Sequence, residues 1–248
     1  MALYSREFLT SKHKHYEEKF NDWHFHLMSY LGGQDYQSGY QLNRYILETD
    51  EEYLKRAENT PIDNHCKNVV QIYSSFLFRV PPTRNYGSMN GDEQLNSFLD
   101  DADLDGRSFN NVIREMQVNA SIYGTCWAVL DKPAVQTQTR AEELQLDIRP
   151  YMSLYTPENV LNWNFERARN GKYVLTSLTL LEDLFEDMAT IRVWTTEDIT
   201  TYKVQEFTKG YSTSKPMMID EIPNMLGKVP AVILYNQKSQ RRGIGISD

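Results

Sequence analysis

Two cysteines in 248 residues, Cys66 and Cys126, leave no CxxC pair and no disulfide framework. They read as small buried hydrophobes of a reducing compartment. Glycine and proline are sparse as well, at 12 and 9 residues, which excludes collagen-like and low-complexity chains. No stretch approaches the roughly 20 apolar residues that cross a bilayer. The start, Met1-Ala-Leu-Tyr-Ser-Arg-Glu7, lacks the basic-then-apolar order of a signal peptide. A chain of this kind is expected to be made in a cytoplasm and to stay soluble there, without a membrane partner. Positive charge is also in deficit: 26 Lys+Arg against 34 Asp+Glu give a net charge of −8. That balance argues against a generic nucleic-acid binder, whose affinity comes from neutralising phosphates. What is abundant is aromatic, with 16 Tyr, 10 Phe and 4 Trp, too many for a disordered chain. The length fits one large domain or two modest ones with a real core.

The first half has helical periodicity. Over 5–30, Phe8, Tyr16, Phe20, Trp23 and Leu27 form an amphipathic stripe among Lys, His and Glu. Leu31-Gly32-Gly33 ends it, and a Gly/Gln/Ser/Tyr-rich loop to Tyr40 follows. A short helix over 50–60 starts at Asp50, its acids first and its bases after, as the helix dipole prefers. The next helix, 62–79, has Val69, Val70, Tyr73, Phe76 and Leu77 as its inner face and stops at Pro81-Pro82. Further helices are expected over 92–100 and 109–123, the latter capped by Ser108 and closed by Gly124. Thr125–Leu130 is an apolar run of the kind a buried strand needs.

From about residue 146 the texture changes. Segments 147–154, 162–167, 173–181, 189–195, 200–207 and 229–235 are rich in Thr, Val, Ile, Tyr and Trp, and the spacing predicts strands. Arg169-Asn170-Gly171-Lys172 is a hairpin turn, and Thr195–Asp198 a weaker one. The fold class is therefore α+β: a helical N-terminal half packed with a mostly antiparallel, β-rich C-terminal half. We divide the chain into a helical segment 1–131, an exposed polar loop 132–145 and a β segment 146–248.

Chemistry-bearing patterns are few. Asp101-Ala-Asp103-Leu-Asp105-Gly106 matches the opening of an EF-hand loop, but Ser108 and Val112 stand where an apolar residue and the bidentate Glu belong. A solvated acidic turn is the expectation. His13/His15 and His24/His26 lie two apart, which on a helix points them about 200° apart and prevents a shared metal. There is no GxSxG, Walker A, GxGxxG or HExxH, and the acidic pairs Glu142/Glu143 and Glu182/Asp183 are not placed in any cleft. No catalytic residue, metal ligand or cofactor is expected. Lys238, Arg241 and Arg242 form a short basic tail, either a solvated loop or a contact to phosphate or an acidic neighbouring subunit. The aromatics of the first helix spread round it beyond one face, as residues favoured at protein interfaces. The candidate interface is Tyr4, Phe8, Tyr16, Phe20, Trp23, Phe25, Tyr30, Tyr73 and Phe76.

Read in order, the segments resemble the N-terminal wing region of tailed-bacteriophage portal proteins. Four pieces carry the resemblance: the aromatic N-terminal helix and Gly-rich loop leading through Tyr53-Leu-Lys-Arg56 and Asn64…Asn68-Val-Val to Phe78-Arg-Val-Pro-Pro82; Asp103-Leu-Asp105-Gly106-Arg-Ser108-Phe109 entering a helix that ends Tyr123-Gly124, before the Asp131–Pro133 turn; Arg149-Pro-Tyr151…Tyr155-Thr-Pro157-Glu158-Asn159-Val160-Leu-Asn162-Trp163; and Val229-Pro230-Ala-Val-Ile-Leu…Gly245-Ile246-Ser247-Asp248.

The resemblance implies a structural, non-catalytic subunit of a ring, of twelve copies in this family, at one capsid vertex. That ring is the conduit for packaging and ejecting double-stranded DNA, which passes without sequence-specific binding. It implies contacts to capsid, scaffold, adaptor or head-completion proteins and terminase, assembly in a host cytoplasm, and residence in the virion. Because Gly245-Ile-Ser-Asp248 is where such chains enter the stem helix, the sequence is expected to be a wing fragment, a truncated chain or one piece of a split portal. The rival reading is a phage neck or adaptor component, or another non-catalytic interaction module.

Overall fold

A computed structural model of the chain describes residues 4–38, 42–61, 63–133, 139–208 and 214–247. The expected N-terminal helix is two helices, α1 (Arg6–Thr10) and α2 (Lys14–Leu31). The break has a tertiary cause. The His13 N–H donates to Leu161 O at 2.8 Å, and the His13 ring stacks 4.1 Å from Trp163 while its Nδ1 caps α2 by accepting from His15 N. Gly32, at φ 66°, turns the chain into α3 (Gly33–Ser38), a short helix where a loop was expected. α4 (Asp50–Asn59) matches the helix expected over 50–60, but Asp50 is its first residue and not its cap: Thr49 is the cap, in a reciprocal box with Glu52. α5 (His65–Leu77) is capped by Asn64 and is shorter than the 62–79 expected. α6 (Glu93–Asp100) and α7 (Phe109–Tyr123) follow as expected in extent; Ser108 stands at the N-cap of α7 but its side chain makes no capping bond, and α7 ends at Gly124 with φ 83°. A Cβ at Gly124 would meet Gly245 C at 2.7 Å, so only glycine lets the C-terminal segment lie there.

The strands come next: β1 (Thr125–Asp131), then after a helix α8 (Arg140–Gln145), β2 (Tyr151–Tyr155), β3 (Val160–Arg167), β4 (Tyr173–Phe185), β5 (Met188–Thr195), β6 (Asp198–Val204), β7 (Met217–Pro223), β8 (Ala231–Tyr235), and the short β9 (Gln237–Lys238) and β10 (Gly245–Ile246). Residues 134–138 of the polar stretch lie outside the described residues. The strands make a three-stranded sheet in the order β2-β1-β8, a five-stranded meander β3-β4-β5-β6-β7 and a β9-β10 hairpin, all antiparallel. β7 is an edge strand with mostly exposed side chains, and the sequence reading missed it.

β1 shows why its run is apolar throughout. Successive side chains of a strand point to opposite faces, and here both faces are covered. Trp127 and Val129 join a large core with Leu178, Ile191 and Tyr202 of the meander, and Leu9, Tyr16 and Trp23 of α1 and α2 reach the same core. Cys126 and Ala128 face the other way, onto Val112, Met116 and Ala120 of α7. Burial pushes the Cys126 thiol up to about 12. Cys66, expected to be buried, is exposed on the first turn of α5. The architecture is α+β, with the first two helices packed into the β-rich half. Among the described residues no helix is long and apolar enough to cross a membrane.

Candidate functional site

α5 is positioned from its N-terminus. The Asn64 amide donates to Tyr30 O at 2.7 Å while its oxygen accepts from Lys67 N at 2.9 Å, so one side chain caps α5 and ties it to the end of α2. The Asn64 side chain sits against Gly32, where a Cβ would come within 2.4 Å of Nδ2. Further along, Arg114 of α7 donates to Ser74 Oγ at 3.3 Å. Val70 and Ser74 are the buried residues of α5.

The expected inner face is otherwise an outer one. Val69, Ile72, Tyr73, Phe76 and Leu77 are exposed, Tyr73 at 60% and Phe76 at 69%. Helical period identified one apolar stripe, but α5 carries more apolar surface than α2 and α7 cover. Asn68, Gln71, Ile72, Ser75, Phe76 and Arg79 line an open groove of about 670 Å³ along it. A second cavity, bounded by Phe25, Tyr30, Tyr36, Val69 and Val70, runs between α2, α3 and α5.

Nearby, Tyr45-Ile46-Leu47 forms a turn whose Ile46 and Leu47 are almost wholly exposed. It is held by Arg56, whose guanidinium donates to both Glu48 oxygens at 2.7 and 2.9 Å and lies 4.7 Å from the Tyr45 ring. That fork holds the Glu48 carboxyl down at about 2. The braced turn and the pinned helix thus both present exposed apolar side chains.

The nine aromatics singled out from the sequence divide by burial. Tyr16 and Trp23 belong to the core, edge to face at 5.5 Å, with the Tyr16 hydroxyl donating to Glu158 O at 2.9 Å. They have no area to offer a partner. Tyr4 and Tyr30 are half-buried against the same core. Phe8, Phe20, Phe25, Tyr73 and Phe76 are exposed. Ile46, Leu47, Ile72, Leu184 and Phe185 were missed; their signal was apolar side chains in polar turns, or one residue off a stripe already assigned inward.

Most of the titratable groups singled out in the sequence are engaged in structure. In the Asp101–Gly106 turn, Asp101 Oδ1 accepts from Gly106 N at 2.9 Å and Asp103 Oδ1 from Asp105 N at 3.0 Å, while Arg107 and Arg149 pair with Asp103 and Asp101. Those contacts hold the Asp103 carboxyl below the ordinary range, against its own burial. Glu143 pairs with Lys132 at 2.7 Å, and Glu182 accepts from the Tyr155 hydroxyl at 2.9 Å. His15 meets Glu18 at 3.2 Å, and His26 Nδ1 meets Ser247 Oγ at 3.2 Å. Of the basic tail, Arg241 pairs with Glu18, and the Arg242 guanidinium lies 3.4 Å from the Tyr173 ring centre. The tail is thus anchored to α2 and β4. Among the described residues no group of three or more His, Cys, Asp or Glu could hold a metal ion.

A family model described as phage portal protein, SPP1 Gp6-like, matches residues 16–244. No curated protein matches the chain.

Proposed function

The chain belongs to the phage portal proteins of the SPP1 Gp6-like type, and from that premise we propose that it forms the wing of a portal ring at a capsid vertex. The ring has twelve copies and is the conduit for genome packaging and ejection. The observation that carries this reading is the exposed apolar face of α5, because a helix pinned at its start and uncovered along Ile72, Tyr73, Phe76 and Leu77 needs a protein neighbour. Phe8, Phe20 and Phe25 extend the contact surface. A ring of identical copies is built from heterologous, head-to-tail contacts. Capsid, scaffold, adaptor and terminase proteins are its further partners. The surplus of 34 acids over 26 bases supports a channel wall that DNA passes without being held. Its place is the virion, after assembly in the host cytoplasm.

The test is the mass of the purified chain by light scattering across a concentration series, with negative-stain images of the assembled fraction. A discrete species near twelve subunits is expected. A chain that stays monomeric at every concentration would overturn the reading in favour of a neck, adaptor or stand-alone interaction module. Deleting residues 1–30 is not a clean probe of the interface, because Leu9, Tyr16 and Trp23 would leave the core with them.

A further inference from the structure

Charge is unevenly placed on this acidic chain. From Asn64 to Gly91 there is no Asp or Glu, only Lys67, Arg79 and Arg84. That stretch contains α5 and its groove. From Tyr173 to Ile191 the reverse holds: Glu182, Asp183, Glu186 and Asp187, with no Lys or Arg. That stretch contains the β4–β5 hairpin tip.

The tip is apolar as well as acidic. Leu184, Phe185 and Met188 are exposed, Phe185 at 69%. It is also stiff. Glu186 and Asp187 sit at φ 45° and 66°, the primed-turn region that matches strand twist. Asp187 is clamped from outside the hairpin: Phe207 N donates to Asp187 O at 2.9 Å, and Thr208 N and Oγ1 donate to its Oδ1 at 2.7 and 2.6 Å. Among the described residues, Lys67, Arg79, Asp183 and Glu186 have no ion-pair partner.

A second copy is the occupant these features fit. A symmetric α5-to-α5 contact would set Lys67 and Arg79 against themselves, and a tip-to-tip contact would bring two sets of four acids together. Both carry like-charge repulsion, whereas α5 against the tip pairs opposite charge and buries apolar surface on both sides. We propose that the β4–β5 tip of one copy docks head to tail on the α5 groove of the next. Phe185 meets Ile72 and Phe76, Asp183 and Glu186 face Arg79 in the groove, and Lys67 flanks it on the first turn of α5. The proposal rests on the ring reading above and names the surfaces that close it.

Charge reversal in the full chain tests it. K67E/R79E makes the α5 face acidic, and D183K/E186K makes the tip basic. Each variant alone then opposes like charges, and its assembly constant is expected to weaken by about tenfold or more. Mixed in equal amounts, the two variants regain opposite charge at every junction of an alternating ring, and assembly returns. The readout is light-scattering mass, with circular dichroism of each variant alone. Recovery on mixing of variants that each assemble poorly alone supports the pairing. If wild type assembles and the variants assemble equally well, or mixing restores nothing, the pairing is overturned while the ring reading stands. If wild type never assembles, both fall. If K67E/R79E assembles normally but loses binding of a double-stranded DNA probe that wild type binds, the α5 face belongs to DNA and the pairing is overturned.

Discussion

Replacing Arg149 by methionine asks whether the Asp101–Gly106 turn is a closed structural element or an open cation loop. The Arg149 guanidinium donates to Asp101 O, to Ser97 O at 3.2 Å, to Asp101 Oδ2 at 2.6 Å and to Asp147 Oδ1 at 3.0 Å. It thereby joins the end of α6 and the turn to the chain entering β2. The turn is seated by Ala102, which is fully buried and whose carbonyl accepts from Met152 N at 2.7 Å. Methionine keeps much of the side-chain volume but no donor. Asp147 is exposed and loses about 0–1 kcal/mol of pairing. The stranded carbonyls of Asp101 and Ser97 cost more, about 1–3 kcal/mol where they stay shielded from water. The Asp101 carboxylate, 27% exposed, rehydrates in part and keeps the loss below that of a fully buried pair. The sum is a destabilisation of about 2–4 kcal/mol, which for a chain of this size lowers Tm by about 5–12 °C. Calorimetry with and without millimolar calcium measures it. If the carboxylate and guanidinium act through each other, D101N/R149M loses less stability than the two single-variant losses added together. A loss under about 0.5 kcal/mol, or a wild-type Tm that rises with calcium as native-state binding requires, would refute the reasoning.

Trp23→Ala removes a fully buried ring from between Tyr16 and the sheet core, and chemical denaturation is expected to show about 3–5 kcal/mol of lost stability. Phe76→Asp should leave the monomer within about 0.5 kcal/mol of wild type and weaken assembly in light scattering, the opposite pattern to Trp23→Ala. Gly124→Ala places a Cβ 2.7 Å from Gly245 C at a φ of 83°, so hydrogen exchange should show lost protection over 237–246. Glu158 is lifted above its ordinary 4.5 by burial, with the Tyr123 hydroxyl bond opposing. A raised folded pKa means stability that is complete below 4.5 and declines as pH rises through the folded value. Glu158→Gln should therefore gain on wild type as pH climbs to neutrality and show no advantage in acid, followed by thermal melts from pH 4 upward.

Much of the fold was written in local signals. Gly124 ended α7, Arg169–Lys172 turned β3 into β4, and an apolar run too short for a helix became the doubly buried β1. The break at residues 11–13 was not local. His13 gives its N–H to Leu161 and its ring to Trp163, partners 148 and 150 positions away, and nothing between Phe8 and Tyr16 reports that. β7 escaped for a related reason: an edge strand needs no buried face, so Met217–Pro223 shows no alternation. The proposed contact surface differs in detail from the one the sequence suggested. Aromatic excess pointed to contact surfaces, yet Tyr16 and Trp23 turned inward. On α5 the period found the helix and its apolar residues but not their direction, because a stripe covered by another chain and one covered by the same chain have the same spacing.

That ambiguity gives α5 its significance. A net charge of −8 on every copy sets neighbours in a ring against each other, so assembly needs contacts in which charge is locally reversed. The chain has such a place, since the exposed apolar face of α5 lies where acids are absent for 28 consecutive residues, Asn64 to Gly91. An exposed patch of that kind is an aggregation liability in a lone chain. Arg79 in its groove and Lys67 on its flank restrict the set of surfaces that can cover it, because an apolar partner without acids gains no Coulombic complement and an identical face is repelled. The β4–β5 tip, base-free and apolar, is a surface of the same chain that meets both conditions. On the proposed pairing, bulk acidity and local basicity are two parts of one requirement: copies that stay apart in other orientations and meet head to tail.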